Sequence, residues 1–491
     1  MQWFSFLKRW QQTESLRLYN SLSREAEVFS LPAPARQVRM YNCGPTVYGP
    51  QHIGNLSAAV FADTLRRVLE WNGYAVKQVI NITDFGHLVS DGDEGEDKMM
   101  KGLRTAGKEP TMENMYELAT GFMEQYLRDI TALNVGAEKI RFPRASEHVP
   151  AQIAMIQTLV EKGYAYETSD GVYFETAHFP AYGALGGIDT THQKEGARVA
   201  INTEKHGASD FALWKKSSSM GWDSPWGKGF PGWHIECSAM IHSLLGKQID
   251  IHTGGIEHIA VHHNNEIAQS EAATGKRPFS RFWMHRAHIR MNDAKMAKSD
   301  GNVAYLSDVL ERGYHPLALR YWFLTNHYRT PANFTWDALE AAQKAFLRLR
   351  RFVDTAGEAS AAVPPRWKVQ IVARLNDDLD TPGAIATLWE MSKAADVSAA
   401  DVKAAILDAD LVLGLGLAQE DPLAKRLYEK LFGAAVAADE LPADIRTLMD
   451  AREAARAAKD WAQADALRAE LAEKGYRVED GESGPRAMKQ G

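Results

Sequence analysis

VRMYNCGPTVYGPQHIGNLSAAVFADTLRRVLEW, Val38–Trp71, is the stretch on which the fold turns. Val38–Cys43 alternates weakly and reads as a strand. A loop rich in Gly and Pro, Gly44–Gly54, follows. Leu56–Trp71 then sets Val60, Phe61, Leu65, Val68 and Leu69 on one helical face, and Asn72-Gly73 supplies the stop. Ala75–Ile82 reads as the next strand. The order is strand, loop, helix, strand, with the loop at the carboxyl end of the first strand, where open α/β sheets bind their ligands.

The chain around this unit has 491 residues, 45% hydrophobic and 24% charged, enough for about three domains. Its net charge of −7 excludes wholesale coating of nucleic acid and leaves a local basic face open. No apolar run is long enough to span a membrane. Two cysteines, Cys43 and Cys237, exclude a disulfide scaffold and fit a reducing compartment. At the N-terminus Trp3, Phe6, Leu7 and Trp10 share a helical face, either a short arm packed on the body or a membrane-surface foot. Asp91–Lys101 reads as a solvated acidic loop. From about Ile140 to Thr203 a helix (Val149–Lys162) and short aromatic strands suggest an inserted module. The α/β core is expected to resume at Asp210–Trp214, with a strand at Gln248–Thr253 and a helix at about Val261–Thr274. Beyond Asp308 the chain turns helical: Ala338–Thr355 and Val369–Ala400 carry helical periodicity around an Ala/Pro linker. A helical hairpin, Ile445–Lys474, and a strand, Tyr476–Val478, close it.

Three constellations carry chemistry. HIGN, His52–Asn55, lies at the loop-to-helix junction, where free N–H groups favour anions and Gly54 admits a phosphate; alone, it is also what many surface loops contain. KMAKS, Lys295–Ser299, suits a mobile clamp on a triphosphate, or a solvated Lys-rich turn. HIGN after the first strand with KMAKS some 240 residues later is a specific pairing. Third, His262 and Glu266 are i, i+4 on a helix. With Cys43 and Cys237 they make a donor set acceptable to zinc; as the alternative, the cysteines are buried hydrophobes and the His/Glu pair a surface contact.

Together these motifs resemble the class I aminoacyl-tRNA synthetases, and most closely the cysteinyl-tRNA synthetases, over nearly the whole chain from about Leu16. CGPTVYGPQHIGN, SPWGKGFPGWHIECSAM, HHNNEIAQSEAATGK, KMAKSDGN and the C-terminal KDWAQADALRAELAEKGYRVED carry the likeness. It implies a Rossmann-like parallel-sheet catalytic domain with an inserted module, then helical and small C-terminal tRNA-binding domains. The implied division is an extension at 1–14, catalytic halves at 15–139 and 206–307, a connective module at 140–205, a stem-contact region and helical bundle at 308–436, and an anticodon-binding region at 437–491. The family's zinc ligands match Cys43, Cys237, His262 and Glu266. Its HIGH motif aligns with His52–Asn55, including Gly54, and its KMSKS motif with Lys295, Lys298 and Ser299; together these are the ATP-binding and catalytic candidates. Thr83, Trp233, His234 and His252 match its substrate pocket. Three departures stand out. Asn55 replaces the last His of HIGH but still donates a hydrogen bond, Ala297 removes a hydroxyl, and Phe85-Gly86-His87 leads NITD into the acidic loop.

The resemblance implies ATP-dependent ligation of L-cysteine to tRNA-Cys through a cysteinyl-adenylate. One Zn²⁺ per chain would select the thiol, with Mg²⁺ accompanying ATP and no editing domain. A cytoplasmic monomer is expected. Two other readings are a cysteine ligase of mycothiol synthesis, which should not need the tail, and an inactive RNA-binding paralogue, which should have lost a ligand, His52 or Lys298. In the tail, Arg452, Arg456 and Lys459 are expected to form a basic helical face for RNA phosphates, with Trp461 and Tyr476–Asp480 available to the bases.

Overall fold

The computed structural model of the chain describes residues 15–85, 98–187, 203–295, 302–436, 440–481 and 484–489. The apolar face expected at the N-terminus, positions 91–97 of the acidic stretch Asp91–Lys101, and Lys298 and Ser299 of KMAKS lie outside them.

A five-stranded sheet forms the centre. Its strands, in chain order, are Gln37–Asn42, Ala75–Ile80, Ile140–Arg141, Ile249–Gly255 and Ser280–Arg286. Every pairing is parallel, and the spatial order is third, second, first, fourth, fifth. Parallel strands need crossovers that cover both faces, so both faces are apolar. Val38, Met40 and Ile80 face one core together with Leu65, Val68 and Leu69 of the helix Ile53–Trp71. The alternate residues Tyr41 and Val79 face another, with Ile235 and Ala239 of the helix Trp233–Leu244. The order reverses between the first and fourth strands, and the crevice at their carboxyl ends is where such sheets take ligands.

The strand expected at Asp210–Trp214 forms over Phe211–Lys216 but does not return the chain to the parallel sheet. It joins Ala165–Glu167, Gly171–Phe174 and Gly229–Pro231 in an antiparallel four-stranded sheet. Phe174 and Phe211 stack there with ring centroids 5.1 Å apart. A short apolar strand, buried from Phe211 to Trp214, carries no mark of its partner's direction, so its sequence does not assign it to a sheet.

Two further corrections have local causes. The acidic stretch ends in a helix, Lys98–Thr105, because Met99 and Leu103 are one turn apart and both buried. The periodicity across Val369–Ala400 is broken into Pro365–Asn376 and Thr381–Met391, and a third helix begins at Ala399. Asp378 and Leu379, at the first break, adopt left-handed φ of 52° and 60°. Asp378 is held there by the Tyr19 N–H at 2.8 Å, the Tyr328 hydroxyl and Arg329 Nε, both at 2.6 Å.

The helical half shares one apolar core with the sheet, running from Leu16 through Phe346, Ile371 and Ile406. The C-terminal hairpin, Ala443–Ala457 and Trp461–Glu473, packs on the ribbon Tyr476–Gly481 and Gly484–Lys489. Its basic face is not free. Arg452 is buried and donates to both oxygens of Asp480 at 2.8 and 2.9 Å, Arg456 reaches the same carboxylate at 2.5 Å, and Lys459 has left the helix with φ 60°. Trp461 stays 60% exposed. No described helix is long and apolar enough to cross a membrane.

Candidate active site

Cys43 follows the first strand, and its N–H donates to Thr253 O of the fourth at 3.0 Å, which fixes the thiol at the strand-order reversal. Cys237 comes from the second turn of Trp233–Leu244, and His262 and Glu266 from one face of His262–Thr274. These four donor atoms lie within 4.8 Å of one another. Cys43, His252, His263 and Glu266 satisfy the same criterion, so two overlapping donor sets share Cys43 and Glu266. Two thiols, an imidazole and a carboxylate at this separation fit a tetrahedral, zinc-type donor set.

The electrostatics are those of a buried, compensated pair. Burial resists charge on Glu266, but facing His252 and His262 pull its pKa down to about 2. Burial likewise opposes charge on His262, and Glu266 and Cys237 overcome it, raising its pKa to about 10. His262 Nε2 lies 3.0 Å from Glu266 Oε1, and His252 Nε2 2.9 Å from Oε2. Burial, then neighbouring Cys237, raises the Cys43 thiol, whereas the hydrogen bond from Cys43 lowers Cys237.

The remaining expected pocket residues surround this cluster. Trp233 stacks on the His262 ring at 4.3 Å. His234 shares a 2.8 Å hydrogen bond with His262, and His252 binds Glu266, so both stand behind the donor atoms. Thr83 donates to Glu236 Oε2 at 2.9 Å, on the residue that precedes Cys237. A cleft of about 230 Å³ runs past Cys43, Cys237, His262 and Trp233 to Asn55. There His52 caps the helix Ile53–Trp71, its Nδ1 accepting the Asn55 N–H at 3.2 Å. Lys295 ends the short strand Ala294–Lys295, paired in register with Arg290.

Several residues at the cleft escaped the sequence reading. Arg286 ends the fifth strand and donates from Nη2 to Gly54 O at 2.6 Å, tying HIGN to the sheet. Glu257 and His258 line the cleft from the turn Ile256–Ile259. The doubled histidine of HHNNE was the one available signal for His263.

Residues 29–344 match the model of the tRNA synthetases class I (C) catalytic domain, and residues 438–484 that of the cysteinyl-tRNA ligase anticodon binding domain. The chain is 46% identical over 480 residues to cysteine–tRNA ligase 1 of Burkholderia lata, spanning 96% of each. It is 41% identical over 486 residues to the cysteine–tRNA ligase of Novosphingobium aromaticivorans, spanning 95% of each. A Mycobacterium tuberculosis methionyl-tRNA synthetase solved with methionyl-adenylate shares the fold: TM-score 0.52 and 12% identity, over 80% of this chain and 91% of that one. By its catalytic and C-terminal matches and its nearly full-length likeness to these ligases, the chain belongs to the cysteine–tRNA ligase family of class I aminoacyl-tRNA synthetases.

Proposed function

We propose that the chain ligates L-cysteine to tRNA-Cys in two ATP-dependent steps at this cleft. Cysteine carboxylate attacks the α-phosphorus of ATP, giving cysteinyl-adenylate and pyrophosphate, and the acyl group then passes to the terminal ribose of the tRNA. The observation that carries the reading is the convergence of Cys43, Cys237, His262 and Glu266, the first three of which line a cleft that ends at Asn55.

Cys43, Cys237, His262 and Glu266 would hold one Zn²⁺, which when bound supplies a soft Lewis acid favouring a thiolate over a hydroxyl. His262 must surrender its proton to serve as a ligand; Glu266 and His252 keep the carboxylate oriented, and Trp233, His234 and Thr83 wall the thiol pocket. Serine differs from cysteine only by oxygen in place of sulfur, and even a whole missing methylene is worth only about 1–3 kcal/mol of discrimination, so rejection of serine rests on this donor set rather than on fit. Phosphoryl transfer asks the protein for in-line positioning and charge neutralisation. His52, Gly54 and Asn55 position the triphosphate. Lys298, with Lys295, neutralises the leaving pyrophosphate, Ser299 of the same KMAKS segment helps bind ATP, and Mg²⁺ arrives with the nucleotide. The catalytic halves at 15–139 and 206–307 do this work around the module at 140–205, while 308–436 and 437–491 hold the tRNA. The enzyme acts as a cytoplasmic monomer.

Cysteine-dependent ATP–pyrophosphate exchange, followed by charging of purified tRNA-Cys, tests the reading. Exchange with cysteine and none with serine is expected. Equal exchange with both amino acids would refute thiol selection; exchange without tRNA charging would favour the mycothiol-type ligase. No cysteine-dependent exchange would leave the inactive paralogue.

A further inference from the structure

Arg286, at the end of the fifth strand, is a cation on the cleft wall that carbonyls rather than carboxylates hold in place. Its Nη2 donates to Gly54 O at 2.6 Å and its Nη1 to Ala287 O at 3.0 Å. Glu257 shares the wall and attracts it, without forming an ion pair among the described residues. Burial opposes the charge, and Glu257 offsets this only in part, so the pKa stays below the usual guanidinium value. A guanidinium carries five N–H donors in a fixed fork. Two are spent on carbonyls and the Nε is enclosed, which leaves the second N–H of each terminal nitrogen. A largely buried cation without a direct counter-ion is costly, and on the wall of a ligand cleft it points to an anionic ligand.

Its place along the cleft says which part of the ligand. Cys43, Cys237 and His262 mark the thiol end and Asn55 the nucleotide end. Lys98, the other described cation lining the cleft, has its Nζ 5.6 Å from the centroid of the Trp233 ring, at the thiol end. Arg286 is fastened to Gly54, the residue before Asn55. Asn55 stands where HIGH has an imidazole, so Arg286 brings a permanent charge to a segment that lacks a titratable ring at that position. Resting on the cysteine-ligation reading, we propose that Arg286 is a nucleotide-binding residue whose terminal N–H groups hold a non-bridging oxygen of the α-phosphate, first in ATP and then in cysteinyl-adenylate. The attacked phosphorus must lie between the two ends of the cleft. As the carboxylate oxygen bonds to it and the bond to pyrophosphate breaks, negative charge gathers on its non-bridging oxygens. A guanidinium already fixed at Gly54 O meets that charge without reorganising, and gives up no proton.

The test compares R286Q and R286K with the unaltered enzyme. Calorimetry measures binding of AMP and of 5′-O-sulfamoyladenosine, a ligand of nearly the same shape with no charge at the phosphate position. Pyrophosphate exchange supplies kcat, and bound zinc checks the cluster. R286Q should weaken AMP about tenfold to a hundredfold, the range for hydrogen bonds to a charged group, and lower kcat by a similar factor. Sulfamoyladenosine affinity, inhibition by pyrophosphate and bound zinc should stay unchanged. R286K, which keeps the charge, should recover part of the AMP affinity, and R286M serves if the glutamine variant does not fold. Equal weakening of AMP and sulfamoyladenosine would overturn the assignment and make Arg286 a brace for the HIGN backbone. Unchanged AMP affinity would overturn it too, as would weakened pyrophosphate inhibition with AMP unaffected, which would move the contact to the leaving group. Absence of cysteine-dependent exchange in the unaltered enzyme would overturn the ligation reading; the AMP comparison needs no cysteine and judges Arg286 separately.

Discussion

Glu266 answers to two imidazoles and a thiol at once. Its Oε1 faces His262 at 3.0 Å and Cys43 at 3.9 Å, and its Oε2 faces His252 at 2.9 Å. Glu266→Gln keeps the shape and removes the charge, so it should weaken zinc binding by at least about tenfold to a hundredfold. Metal content after dialysis against a graded chelator reads this directly; full retention would remove Glu266 from the ligand set. Residue types alone left the four as an acceptable donor set beside the alternative of buried cysteines and a surface His/Glu pair; the resemblance to the family is what singled them out, because spacing cannot join ligands 223 positions apart. The second set, with His252 and His263, was not legible as such. Which histidine faces inward depends on helix rotation against the fourth strand, a tertiary quantity that spacing does not encode. His258 was hidden for the same reason, since it sits on a turn with no periodicity to place its ring.

Elements were read well where a repeating apolar face fixes them and poorly where partners decide. The first strand, the helix after it and the second strand formed within a few residues of expectation, because a long helical apolar face with a clear stop separates two short apolar runs. The strand Phe211–Lys216 formed too, but in another sheet. The tail shows a subtler failure. A row of cations at i and i+4 reads as a basic face only if nothing neutralises it, and Asp480 does so from the following strand, 28 positions beyond Arg452. Arg452→Met keeps the apolar stem and leaves Asp480, itself half-exposed, to Arg456 alone. We expect the hairpin to lose about 1–2 kcal/mol, a buried pairing discounted for the exposed partner. Because Arg452 is spent internally, the salt dependence of tRNA affinity should not change. A salt-titration slope smaller by about one in the variant would return Arg452 to the phosphate-binding surface.

Over the whole molecule, Asp63 joins pieces that no sequence pattern connects. It is fully buried on the helix Ile53–Trp71. It accepts from Arg67 Nε and Arg320 Nη2, each at 2.7 Å, and it also pairs with Arg66. Arg320 in turn donates to Leu413 O at 2.7 Å and Leu133 O at 2.9 Å, the carbonyl ends of two helices from opposite halves of the chain. Burial opposes the Asp63 charge, but Arg320, Arg67 and Arg66 overcome it and hold the carboxyl well below the usual range. Asp63→Asn should cost about 3–5 kcal/mol at neutral pH, since it strands buried guanidinium groups. The folded-state pKa is depressed, so this contribution is complete above the unfolded carboxyl value of about 3.9 and is lost as pH falls below it. Denaturant unfolding of both proteins across that range should show the gap closing in acid; a gap that is constant with pH would mean the carboxylate charge is not what holds the node.

The cluster sits where the sheet reverses its strand order, and Cys43 and Glu266 are separated by 223 positions of chain. During synthesis, therefore, the first thiol leaves the ribosome long before the last ligand exists. A metal ion bound by this donor set would, if met early, have one sulfur to hold it. It would be retained only once the fourth strand had docked beside the first, bringing the His262–Thr274 helix with it. The donor set is thus a certificate of completed assembly: a chain stalled or cut between the two halves of the sheet does not possess it.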